Sequence, residues 1–177
     1  QGSADSNITN GQVLIEMFNS LNWAATSLGN HEFDWYDTTI ESNKALAEFP
    51  FLGANIMNKS SGELATNIVD APSTMIERNG VKIGIIGTIG SRLESSILAS
   101  AVADYSFEPV TNYVIEESNK LRSEGASLII LLTHDSLTGY NRSGEYGPII
   151  EPSGDHDPYV DVVFTGHEHA YDRQMIN

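Results

Sequence analysis

The sequence predicts an α/β fold built on a mixed sheet, and three observations lead there. Short apolar runs alternate with amphipathic segments at helical spacing, the pattern of strand–helix–strand units. Asn79-Gly80 separates two strand-like runs and adds an antiparallel hairpin, because its type I′ turn needs positive φ at both central residues. Three of the apolar runs end in histidine-bearing motifs. Strand ends in an open α/β sheet converge on one edge, where such folds place ligands.

The elements follow in order. Asn10 caps a helix from about Gly11 to Asn22, with Val13, Leu14, Met17, Phe18 and Leu21 on one apolar face. Trp23 to Leu28 is a short buried strand. A helix from Thr38 to Phe49, capped by Asp37, is stopped by Pro50. Phe51 to Ile56 is a strand, and Lys59 to Pro72 is polar loop. Ser73 to Arg78 and Val81 to Thr88 form the hairpin. Gly84, Gly87 and Gly90 have a repeated spacing but neither a helix start nor a lysine, so they read as close strand packing rather than a phosphate loop. Leu93 to Val102 is a short helix or irregular. Pro109 opens a helix that runs to Glu124 and ends at Gly125. Ser127 to Thr133 and Tyr159 to Thr165 are strands. Between them lies a long polar loop, Thr138 to Pro158, of the kind that is often functional at a site edge.

With 177 residues and 40% apolar content, the chain makes about one domain with a sizeable core. It has no internal repeat and no interior linker. No run approaches the roughly 18 apolar residues of a membrane helix. The polar opening Gln1-Gly2-Ser3-Ala4-Asp5-Ser6 lacks the pattern of a signal peptide, although a chain starting at Gln is open to having lost one. Nine basic against 24 acidic residues, a net charge of −15, argue against a nucleic-acid polymer as partner. The absence of cysteine excludes disulfides, thiolate zinc sites and a cysteine nucleophile.

The chemistry concentrates in Gly29-Asn30-His31-Glu32-Phe33-Asp34, in Leu131-Leu132-Thr133-His134-Asp135 and in Gly166-His167-Glu168-His169. These bring imidazoles and an Asn amide oxygen to one edge. Imidazole suits zinc, iron, copper and nickel, and oxygen donors extend the set to manganese. The donor set reads as a metal-assisted hydrolase. Glu32 and Glu168 read as solvated or supporting side chains, and His156 as an exposed loop residue. Asp135 and Asp172 are candidate partners behind the ligands. Phe33 and Trp35 lie within and just after the first of these motifs, and core packing is the commoner fate of such rings.

The three motifs, in this order and each at a strand end, resemble the calcineurin-like metallophosphoesterases. Gly-Asn-His-Glu-Phe-Asp is most similar to the 5′-nucleotidase and 2′,3′-cyclic-nucleotide phosphodiesterase branch. The resemblance implies an α/β/β/α sandwich with mixed sheets, here lacking its N-terminal strands, so that residues 1–177 are a partial catalytic domain. The family's upstream Asp-x-His and Gly-Asp motifs and its C-terminal substrate domain do not occur in this sequence. It also implies two divalent metal ions, for which Zn, Mn, Fe and Co all suit the donors. Asn30, His134 and His167 would serve the second metal and His169 the first. His31 would contact the phosphoryl oxygens or the leaving group, oriented by Asp34. The implied reaction is hydrolysis of a nucleotide phosphoester, by an enzyme that is extracellular, periplasmic or at the cell surface. The chain by itself is expected to be weak or inactive, and to need a second copy or a missing segment to complete its sheet. The alternatives are a metal-binding or interaction fragment without catalysis, and another branch, such as a phosphoprotein phosphatase or a sulfur-oxidation component.

Overall fold

The computed structural model describes residues 4–136, 144–151 and 157–169. The helices are α1 (Ala4–Ile8), α2 (Gln12–Ser20), α3 (Tyr36–Leu46), α4 (Val110–Ser123) and α5 (Gly147–Ile150). The strands are β1 (Thr26–Ser27), β2 (Phe51–Leu52), β3 (Ile56–Asn58), β4 (Ser73–Arg78), β5 (Val81–Ile89), β6 (Tyr105–Phe107), β7 (Leu128–His134) and β8 (Val162–Thr165). Short 3₁₀ helices cover Asn30–Trp35, Ser91–Ser96 and Ala99–Ala101.

The largest sheet has the order β4-β5-β7-β8. Its first pair is the expected hairpin, with φ of 52° at Asn79 and 80° at Gly80. The remaining pairs are parallel. One face is covered by α4, whose Val110, Val114 and Leu121 join Ile86, Ile129 and Leu131 in one apolar cluster. The parallel pair β1–β2 lies on the opposite face and brings Leu52 against Gly87. Outside that pair, Ile15 of α2 and Ile40 of α3 pack with Leu28, Phe33 and Phe51. The layers therefore run helix, strand pair, sheet, helix, and the expected sandwich is the one observed.

The glycines of β5 are packing glycines, as the sequence suggested. A Cβ on Gly84 would meet Leu121 and Ile129 at 2.8 Å, and one on Gly90 the Asp135 carboxylate. Helix α4 presents Val114, Ser118 and Leu121 inward at helical spacing and ends at Gly125, φ 97°.

Four local expectations are corrected. Gly11, in the left-handed region, caps α2 in place of Asn10, whose carbonyl instead accepts a hydrogen bond from Asn43. The buried side of α2 is centred on Ile15, while Val13, Met17 and Leu21 are exposed, because α3 meets the helix from one side only. Helix α3 begins at Tyr36 and stops at Leu46, ahead of Pro50. The strand expected over Phe51–Ile56 is two strands in different sheets. Its break is held by Asn55, fully buried, whose amide donates to the carbonyls of Ile89 and Glu108, both at 2.7 Å, and accepts from the Ile89 N–H at 3.1 Å. One polar side chain thus replaces a stretch of ladder. Strand β6 and helix α5 are further elements that periodicity did not reveal, being three and four residues long.

The sheet-to-sheet contact is testable at Gly87. A Cβ there would lie 2.4 Å from the Leu52 Cβ and 2.7 Å from its carbonyl oxygen. Gly87→Ala should lower unfolding free energy by about 1–3 kcal/mol or more through overpacking, read as a lower urea midpoint at unchanged slope.

Candidate functional site

Strands β5, β7 and β8 end on one edge. The register pairs Ile89 with His134 and Thr133 with Thr165, so Gly166 begins beside His134. Strand β1 ends nearby, and Gly29 leads into the 3₁₀ turn that carries Asn30, His31 and Asp34. The turn is secured by Glu32, whose carboxylate accepts the Gly29 N–H at 2.6 Å. Glu32 is therefore a structural cap.

Asn30 is buried and its amide oxygen lies between two imidazoles, 2.8 Å from His134 Nε2 and 3.3 Å from His167 Nδ1. The two rings are 5.4 Å apart and nearly perpendicular, 74°. Glycine makes this approach possible. A Cβ on Gly29 would come within 2.7 Å of the His134 ring, and one on Gly166 within 2.9 Å. The glycines of two motifs are thus the walls of the His134 seat. His167 adopts φ 80° and His169 φ 52°, in the region L-residues rarely occupy. His169 is exposed on the same segment.

His31 and Asp34 form a second unit. They are three residues apart in a helix of three residues per turn, so they share a face. His31 Nδ1 lies 2.9 Å from Asp34 Oδ2. The carboxylate accepts the Nδ1 proton, which fixes the tautomer and leaves Nε2 as the outward nitrogen. Both side chains are part-exposed, as groups meeting a ligand from solvent must be.

Burial, together with the neighbouring imidazoles of His167, His31 and His169, pushes the His134 pKa down from 6.5 to about 4. At neutral pH this ring is uncharged and keeps the lone pair a metal ligand needs. Two ligands about 2.1 Å from one ion, at roughly octahedral to tetrahedral angles, lie about 3.0–3.4 Å apart. The separations across Asn30 are close to that range, so the donor set fits a divalent ion of the nitrogen- and oxygen-preferring kind. Among the described residues, no group of three His, Asp or Glu side chains gathers as a metal cluster. The gathered donors are two imidazoles and an amide.

The other sequence candidates fall as follows. Phe33 is core, 1% exposed, and tilted against Tyr105 and Phe107. Trp35 is half-buried, and Glu168 is exposed. Asp135 meets neither imidazole. Its carboxylate accepts the Tyr146 hydroxyl at 2.9 Å and the Ser136 N–H at 2.7 Å. His156 and Asp172 lie outside the described residues. Two features carried no sequence signal. Tyr146, buried within the polar loop, touches Thr133 and Asp135 on either side of His134. Tyr36 has φ 64° and ψ 173°, a conformation essentially confined to glycine, two residues after Asp34.

No family model matches the chain. It is 30% identical over 174 residues to a snake venom 5′-nucleotidase of Crotalus adamanteus, covering 97% of this chain and 27% of that one. It is 25% identical over 201 residues to the cell wall protein Lmo0130 of Listeria monocytogenes, covering 98% and 25%. The fold matches the 5′-nucleotidase precursor of Thermus thermophilus with a TM-score of 0.73 at 22% identity, over 96% of this chain and 31% of that one. Other relatives are named as 5′-nucleotidases and as a 2′,3′-cyclic-nucleotide 2′-phosphodiesterase/3′-nucleotidase. The chain resembles this branch of the metallophosphoesterases in sequence and shares the fold of a 5′-nucleotidase domain, and these relatives are hydrolytic enzymes by name. It spans about a quarter of the length of the curated relatives it resembles. Among the described residues, no helix is long and apolar enough to cross a membrane.

The depressed His134 pKa has a signed consequence in metal-free protein. The unfolded ring takes up a proton near pH 6.5 and the folded ring only near 4. The stability tied to neutral His134 is complete above pH 6.5 and declines as pH falls toward 4, by up to about 3 kcal/mol. Urea unfolding followed from pH 7 to 4 should therefore fall more steeply for the wild type than for His134→Asn. Parallel curves would contradict it.

Proposed function

We propose that this chain is a portion of the catalytic domain of a metal-dependent phosphoesterase that hydrolyses nucleotides, of the 5′-nucleotidase or 2′,3′-cyclic phosphodiesterase kind. The observation that carries the reading is the amide oxygen of Asn30 set between His134 and His167, with the His31–Asp34 pair on the same turn. The names of the relatives point to the same substrate class.

In this reading Asn30, His134 and His167 hold one divalent ion and His169 contributes to a second. Such ions supply charge neutralisation for the phosphoryl oxygens and an activated water for in-line attack on phosphorus. The remaining work is done by the chain's own side chains. As an imidazolium, its Nδ1–H held by Asp34, His31 would present Nε2–H to a phosphoryl oxygen or to the departing ester oxygen. Asp34 fixes the direction of that ring and stabilises its positive charge. Neutral His134 leaves its nitrogen open to a cation, and its burial keeps water from competing. No covalent phosphoenzyme is required. An exported or surface location fits relatives that include a cell wall protein and a venom enzyme.

A second reading, metal binding without turnover, is favoured by the absence of a carboxylate-bearing metal cluster among the described residues. One experiment separates the two. The dialysed protein should hold about one equivalent of metal by plasma mass spectrometry, lost in His134→Ala and in His167→Ala. Supplied in trans with a segment bearing the Asp-x-His and Gly-Asp motifs, the metal-loaded protein should release phosphate from a 5′-nucleotide or open a 2′,3′-cyclic one, in preference to a phosphopeptide. His31→Asn should retain the metal and lower turnover by about 10²–10⁴-fold. Retained metal with no turnover of either nucleotide would support the second reading. A folded protein that holds no metal would overturn both.

A further inference from the structure

We propose that Tyr146 is a positioning residue for the metal-binding end of β7. Its hydroxyl clamps the two chain neighbours of His134 and thereby sets where that imidazole meets Asn30. The inference rests on the metal-binding reading of His134, Asn30 and His167.

The proton count fixes the direction of the clamp. A tyrosine hydroxyl has one proton and can accept as well. Tyr146 Oη donates to Asp135 Oδ2 at 2.9 Å. Its 2.9 Å contact with Thr133 Oγ1 therefore has threonine as donor. The chain of bonds runs Thr133 to Tyr146 to Asp135, each strengthening the next. Thr133 and Asp135 are the residues immediately before and after His134. Side chains alternate along a strand, so both lie across β7 from the imidazole. Thr133 shares the buried side with Ile129 and Leu131. The clamp thus acts on His134 through the backbone without touching the ring.

The surroundings make the clamp stiff. A Cβ on Gly90 would lie 2.5 Å from the Asp135 carboxyl carbon, so the backbone just past β5 leaves that side chain little room to turn away. The other carboxylate oxygen of Asp135 accepts the Ser136 N–H. The His134 carbonyl accepts from Gly90 N–H at 3.0 Å, and the Thr133 carbonyl from Gly166 N–H at 3.1 Å. Tyr146 arrives equally well held. It is 1% exposed, packed with Ile86, Leu131 and Ile149, and its neighbour Glu145 accepts the Val110 N–H and the Ser91 hydroxyl. A phenylalanine would fill the same space. Burying a hydroxyl is costly unless it is bonded, and the two partners of this one flank His134.

The test is Tyr146→Phe in the full chain, with Co²⁺ as probe. The variant should fold, by circular dichroism, and bind Co²⁺ about 10–100-fold more weakly with an altered visible absorption band. Asp135→Asn can still accept from the Ser136 N–H while its amide N–H donates to the Tyr146 hydroxyl, which then donates to Thr133, so it keeps both arms of the clamp and should retain near-wild-type affinity. Asp135→Leu can do neither and should match Tyr146→Phe. Should Tyr146→Phe not fold, Thr133→Val, which removes one arm of the clamp, is held to the same criterion. A lower melting temperature with unchanged Co²⁺ affinity and spectrum would overturn the clamp while leaving the metal site standing. A wild-type protein that binds no Co²⁺ would instead overturn the metal reading on which the clamp depends.

Discussion

The parallel register of β5, β7 and β8 is the constraint on which the rest depends. Parallel pairing places all three carboxyl ends on one edge, and the pairing of Thr133 with Thr165 sets Gly166 beside His134. A slip of one residue would turn the side chain of His134 to the opposite face of the sheet. That register is itself held from both sides. Helix α4 covers one face through Val114 and Leu121, and the β1–β2 pair covers the other where Leu52 meets Gly87. Site geometry and core packing are therefore one problem, solved by the same strands.

Within the site, the small residues shape the geometry as much as the imidazoles do. Gly29 and Gly166 enclose the His134 ring so closely that no β-carbon fits at either place. The enclosure removes water from the imidazole, which is the main reason its pKa falls, and so keeps it uncharged where a cation could bind. His31 stands in a different setting, partly exposed and paired with Asp34. Two histidines on one sheet edge thus stand in different settings, His134 shielded from water and His31 partly open to it.

Much of this was legible in the chain. The three histidine motifs announced themselves by following apolar runs, and Asn79-Gly80 gave the hairpin its turn. The glycines of β5 were rightly read as packing residues. Other features left no trace in local pattern. The break after Leu52 depends on Asn55 bonding to Ile89 and Glu108, partners 34 and 53 residues away. The three residues of β6 are too few to show a period, and they pair with β3 from a distant part of the chain. In α2 the apolar positions were seen but the buried side was misassigned, since an apolar stripe does not say which side the neighbour occupies.

The sequence by itself determined the fold class, the order of the main elements and which residues carry nitrogen and oxygen donors, because these follow from local periodicity, turn chemistry and residue type. Only the tertiary structure decided that Asn30 would stand between His134 and His167, residues 104 and 137 positions further along. It alone revealed that Tyr146, unremarkable in a polar loop, would bond to both neighbours of His134. Such contacts are set by strand register and by which backbones can approach closely, quantities that exist only once distant segments have packed.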